Sequence, residues 1–163
     1  MADFSIAHSI QSIGFLTDIR ESALVYPITM ATHLACIAVF GGMILMTNMR
    51  LLGWAMTSHS ITDVVDGLRI WKRIGFVIMI TAGLLLGSSE ADKYYPNGYF
   101  WTKLALVVLA AVHPLVFRSS VYHNTEALDR APAIPGVAKL AAATSTLLWV
   151  TIVCMGRLIA YWE

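Results

Sequence analysis

Charge is what this sequence has least of. Only 13% of its 163 residues are Asp, Glu, Lys or Arg, about half the share found in a soluble domain. With 58% hydrophobic residues and a mean hydropathy of +0.70, that scarcity marks an integral membrane protein. The formal net charge of +1 supplies no basic face for a nucleic acid. Cysteine is nearly as rare. Cys36 and Cys154 fall inside apolar stretches without a Cys-x-x-Cys neighbour, so they read as small packing residues rather than a redox pair. There is no HxxxH pair, Gly-rich phosphate loop, nucleophile–base–acid set or internal repeat, and hydrolase chemistry has no support. The opening residues lack the basic region and unbroken apolar core of a signal peptide.

What is present is four apolar runs, at about residues 23–49, 71–87, 101–120 and 140–161. A hydrocarbon core about 30 Å thick needs about 20 mostly apolar helical residues to cross it. Ahead of them, within residues 3–21, Ile6, Ile10, Ile13, Leu16 and Ile19 recur at helical spacing among polar residues, the pattern of an amphipathic helix in the membrane interface. Ser60 with Asp63 three residues later is a helix start. Residues 88–100 and 124–138 carry the turn residues of loops. The sequence therefore predicts one all-α domain over 1–163, an integral membrane four-helix up-down bundle with an N-terminal amphipathic interfacial helix. Arg50, Arg69, Lys72, Arg73, Arg118, Arg130 and Lys139 flank the first and third connections, against Arg20, Lys93, Lys103 and Arg157 on the other side. The positive-inside rule then places both termini outside.

Two of the five histidines fall within spans: His33 in the first, and His113, directly followed by Pro114, in the third. An ionisable group inside a membrane is a functional-site hypothesis by default. Counted from Ala23 and Trp101, the two rings lie roughly 15 Å and 18 Å deep. Facing each other across a bundle, two imidazoles could hold the iron of a b-type haem. Small-residue strips, Ala31, Ala35, Ala38 and Gly42 on the first span and Gly75, Gly83 and Gly87 on the second, would give the macrocycle room. Arg157, about one turn from the end of the fourth span, suits a haem propionate; the plainer reading is that it snorkels to the interface. The plainer reading of the histidines is a bond to a carbonyl near Leu109 or Ala110 freed by Pro114, or to Thr29 or Thr32. Met43, Met46 and Met49 raise copper binding, though methionine in an apolar helix is more often a gap filler.

The segments HLACIAVFGGMILMTNMRLLG, TAGLLLGSSEADKYYPNGYFWTKLALVVLAAVHPLVFR and GRLIAYW together resemble a family of uncharacterised bacterial four-helix membrane proteins. The pattern is a first-span His followed by a basic exit, a Pro-Asn turn before an aromatic-x-Lys third span, and a closing Gly-Arg. It is also distantly similar to the copper-resistance D membrane proteins and to the small membrane protoporphyrinogen oxidases, which share a Lys-Leu-rich span. The resemblance implies the bacterial inner membrane and supplies no established activity. The resulting expectation is a membrane haem b protein for electron transfer, linked to a quinone or a redox partner protein. His33 and His113 would be axial ligands, Arg157 the propionate anchor, Gly42 and Gly83 part of the pocket, and a homo-oligomer a further arrangement. The alternatives are a haem-free transport protein for copper, protons or a small solute, and a structural subunit of a larger membrane complex.

Overall fold

The computed structural model describes residues 2–161, with side chains from residue 6 onward; Trp162 of the closing motif lies outside the described residues. Every regular element among the described residues is helical. The chain begins with α1 (Ala2–Gln11) and α2 (Gly14–Glu21), so the helix expected over 3–21 is broken at Ser12 and Ile13. Leu16 and Ile19 of α2 are buried, and α2 packs on α3 and α5 while α1 meets α6.

Helix α3 (Val25–Leu52) opens where Ser22 Oγ accepts the Val25 N–H at 3.1 Å. It closes at Gly53, whose φ of +77° is a left-handed conformation that costs glycine little. The Ser60 start is present: its Oγ accepts the Asp63 N–H at 2.9 Å and begins α4 (Ile61–Gly67). Helices α5 (Arg69–Ser89) and α6 (Ala91–Tyr94) follow. Asn97 then caps α7 (Gly98–Val116), accepting the Tyr99 and Phe100 N–H groups at 3.0 and 3.3 Å. The third apolar run was expected to stay helical to residue 120, but α7 stops at Val116. Pro114 has no N–H to return to Ala110 and strains the ladder, and the chain widens into a π turn, Arg118–Tyr122. Helices α8 (Thr125–Arg130) and α9 (Gly136–Leu158) complete the order. Four stretches, Val25–Leu52, Ile61–Ser89, Gly98–Val116 and Gly136–Tyr161, are long and apolar enough to cross a membrane.

Packing between these spans is uneven, and that unevenness creates the site. Helix α3 lies against both α5 and α9, and α7 lies against α9; no comparable packing joins α5 to α7. The α3–α9 seam is tight because Gly41 has no side chain. A Cβ there would stand 2.3 Å from Nε1 of Trp149, whose ring meets Phe40 edge-on at 5.2 Å. Lower on the same seam, Asn48, 1% exposed, donates to Ser145 Oγ and Thr146 Oγ1 at 3.1 and 2.9 Å. Helix α7, by contrast, has no buried residue.

The two ends of the bundle differ in charge. At one end Asp129 of α8 accepts the Ile61 and Thr62 N–H groups at 2.6 and 3.0 Å and the Thr62 hydroxyl at 2.7 Å. Partial burial opposes ionisation of that carboxyl, but the bonds from Thr62 and Ile61 outweigh it and hold its pKa below the ordinary value. These contacts gather both basic connections at this, the basic end. At the far end Asn97 Nδ2 donates to the Ile159 carbonyl at 3.1 Å, and Gln11 Oε1 accepts the Asp92 N–H at 3.0 Å.

Candidate functional site

The structure does not bring His33 and His113 together. His33 Nδ1 lies 2.9 Å from the Met79 carbonyl of α5; a carbonyl only accepts, so Nδ1 donates. Gly83 makes this contact feasible, since a Cβ there would come within 2.8 Å of the ring. His113 instead turns to α9, with Nε2 2.9 Å from Thr144 Oγ1. The Thr144 hydroxyl also reaches the Leu140 and Ala141 carbonyls at 2.8 and 3.1 Å. Residues 144–146 of α9 lie level with Asn48 of α3, which is fifteen residues beyond His33, or roughly 20 Å along the axis. Metal–imidazole bonds are about 2 Å long, so these rings do not face one iron. The matched depth expected from sequence assumed that the first residues of both spans lie at one level. In the folded chain His33 sits toward the far end, while His113 is three residues from the end of α7.

The other expected site residues are dispersed as well. Arg157 donates to the Tyr161 hydroxyl at 2.8 Å and stacks over that ring at 5.0 Å, one turn away on its own helix at the far end. Gly42 has nothing within 4 Å of where its Cβ would be. The aliphatic chain and ammonium of Lys103, which the sequence offered only as a flanking charge and as part of the third-span pattern, lie against Gly156, 3.2 Å from its would-be Cβ. No group of three or more His, Cys, Asp or Glu suited to a metal ion occurs among the described residues.

What the fold does build is a cleft of about 550 Å³ in the gap between α5 and α7, with α3 and α9 as its floor. That volume lies within the range of about 300–1,000 Å³ usual for small-molecule sites. Phe40, Ile44, Phe76, Met79, Trp149 and Ile152 make its body apolar, and His113 and Asn48 stand in its wall. Its mouth, at the basic end, carries Arg69, Lys72, Arg73 and Arg118. Arg69 pairs with Asp66 and donates to the Tyr122 carbonyl at 2.7 Å. Lys72 Nζ donates to Thr47 Oγ1 at 3.0 Å. The guanidiniums of Arg73 and Arg118 have no hydrogen bond or ion pair among the described residues. Burial pushes the Tyr122 hydroxyl at this mouth up to about 12, so it is a neutral donor at physiological pH. Four cations against one carboxylate, on the rim of an apolar cleft, favour a ligand with an anionic head and an apolar body.

Sequence counting used these four cations only to orient the chain. Arg69 and Arg73, with Lys72 between them, open α5, and Arg118 follows α7; their convergence depends on the sparse packing of α5 on α7, which no local pattern encodes. For haem the donor set fits poorly. The only span histidine at the cleft has its outward nitrogen committed to Thr144, and the other lies outside the cleft. No curated protein matches the chain, copper-resistance D proteins and protoporphyrinogen oxidases included, and no solved structure matches it. A family match does cover residues 11–162, nearly the whole chain. The chain belongs to a family of unknown function, DUF6644.

Proposed function

We propose that this protein is a membrane-embedded binding protein for a lipophilic anion, taken up from the bilayer into the cleft between α5 and α7. One observation carries the reading: an apolar cleft within the spans whose rim holds four cations, two of them uncommitted guanidiniums. The bundle is an up-down one in the bacterial inner membrane, with its basic end cytoplasmic, its termini periplasmic, and α1 and α2 at the periplasmic interface. The apolar face of α7, which has no buried residue, faces lipid or a second copy of the chain.

Electron transfer by a bound haem b, with quinone as redox partner, is the second reading, and the presence of His113 in the cleft wall favours it. Haem is itself a lipophilic anion, so the two readings share the cleft and differ in the role of the histidine. His113 would then have to leave Thr144 to reach the iron.

The test is an absorption spectrum of protein purified from haem-replete cells, together with equilibrium binding of labelled oleate and of its methyl ester. The proposal expects saturable oleate binding, weak binding of the uncharged ester and no haem band. Sharp low-spin haem bands lost in His113→Ala would establish the second reading. Equal binding of acid and ester would overturn the first.

A further inference from the structure

We infer that the cleft's resident ligand is an acidic phospholipid of the basic-side leaflet, with its phosphate between Arg73 and Arg118 and an acyl chain along the apolar floor. This rests on the proposed binding role and names its ligand class. The charge balance comes first. Arg69, Lys72, Arg73 and Arg118 line the mouth, and Asp66, which pairs with Arg69, offsets one of them, so three positive charges remain. A lone carboxylate would be satisfied by one guanidinium fork. A phosphate offers more acceptor oxygens and can engage two forks at once.

The second argument is position. Arg73 is on the α5 wall, and Arg118 follows α7 on the opposite wall. These two spans share little packing, their close approach being Gly87 against the Phe100 ring toward the far end. A phosphate held by both would tie them at the basic end, and an acyl chain would cover Phe76 and Met79 on one side and Val107 and Ala110 on the other. Depth agrees as well. Arg118 follows the end of α7 and Arg73 lies in the second turn of α5, so both stand toward the basic end, while the body of the cleft extends away from it to Met79 and Ile152. Basic pockets between membrane helices on the cytoplasmic side are known to take acidic lipid headgroups. The ligand is thereby part of the fold's stability, since binding to the native state alone raises it by mass action.

The experiment uses the full chain in neutral detergent, with phosphatidylglycerol and phosphatidylcholine as probes. Native mass spectrometry should show one phosphatidylglycerol retained per chain in preference to phosphatidylcholine. Added phosphatidylglycerol should raise the unfolding temperature of delipidated protein. Arg73→Gln/Arg118→Gln should weaken retention about tenfold or more and abolish the thermal shift; Arg157→Gln, at the far end, should change neither. Equal retention of the two lipids, or retention indifferent to the double substitution, would overturn the inference. Should the double variant fail to fold, Arg73→Lys and Arg118→Lys are compared singly: they keep the charge and lose the fork, and unchanged retention in both would overturn the two-fork geometry. Saturable oleate binding without competition by phosphatidylglycerol would refute the phosphate assignment and leave the binding role standing. Failure of both lipids and of oleate would remove both.

Discussion

Two adjacent glycines provide a sharp test of how α3 and α9 build the floor of the cleft. At Gly41 a new Cβ would meet three side-chain atoms of Trp149 at 2.3, 2.8 and 2.9 Å, while at Gly42 it would meet nothing within 4 Å. Carbon contacts settle at about 3.5–4.0 Å, so Gly41→Ala requires the indole or the helix to retreat by about 1 Å. Overpacking on that scale typically costs about 1–3 kcal/mol. Both substitutions gain about 1 kcal/mol of helix propensity from replacing glycine, and this term cancels in their difference. Gly41→Ala should therefore unfold with about 1–3 kcal/mol less stability than Gly42→Ala, by circular dichroism in mixed micelles with increasing sodium dodecyl sulfate. The double variant Gly41→Ala/Trp149→Phe should recover part of the gap, because the smaller ring vacates the space where Nε1 lay. A gap below about 0.5 kcal/mol, or one of opposite sign, would refute the claim that the α3 backbone packs directly on the Trp149 ring.

Asn48→Leu removes two hydrogen bonds across the same seam; membrane interhelical bonds average about 0.6 kcal/mol and reach about 1.7, so a loss of about 1–3 kcal/mol is expected in the same assay. Asp129, whose folded-state pKa is depressed, stabilises the basic end above its unfolded pKa, about 3.9, and that contribution is lost as pH falls through the folded value. Amide exchange at Ile61 and Thr62 should therefore accelerate below about pH 4, and Asp129→Asn should show fast exchange already at neutral pH. Arg157→Lys should leave ligand binding unchanged, since Arg157 pairs with Tyr161 at the far end; weakened binding would move the site. Single cysteines at Glu126 and at Lys93, with Cys36 and Cys154 replaced, should differ in labelling of intact cells. Labelling at 93 alone is expected, and labelling at 126 alone would invert the topology.

Much of the helical framework was legible in the chain, because apolar length and capping residues act locally. Ser60 and Asp63 start α4 as their spacing requires, whereas α7 begins at Gly98, within residues read as a loop. The far boundary of α7 was not legible either, since the effect of Pro114 was expected to be a freed carbonyl rather than an unwound turn. The candidate site was harder to read for a physical reason. His33 and His113 attract notice as imidazoles in apolar runs, yet each is satisfied by a neighbouring helix, Met79 O for one and Thr144 for the other. Which neighbour each meets depends on helix stagger, and sequence periodicity does not fix stagger. Gly83 was chosen as a space for a macrocycle and provides space for the His33 ring instead. The four cations of the cleft mouth looked like ordinary basic flanks, as most such residues are; only the order α5–α3–α9–α7 turns them inward to one opening.

The central claim is that a lipophilic anion occupies the α5–α7 cleft, and Trp149, 7% exposed and in the cleft wall, can report on it. With Trp54, Trp71, Trp101 and Trp162 replaced by Phe, stearate carrying a doxyl quencher along its chain is titrated into the protein in neutral detergent. Saturable quenching of Trp149 is predicted, weakened about tenfold or more in Arg73→Gln/Arg118→Gln and absent with the methyl ester. Quenching that rises linearly without saturation, equally for acid, ester and double variant, would show that the probe reaches Trp149 only as bulk lipid and would contradict the claim.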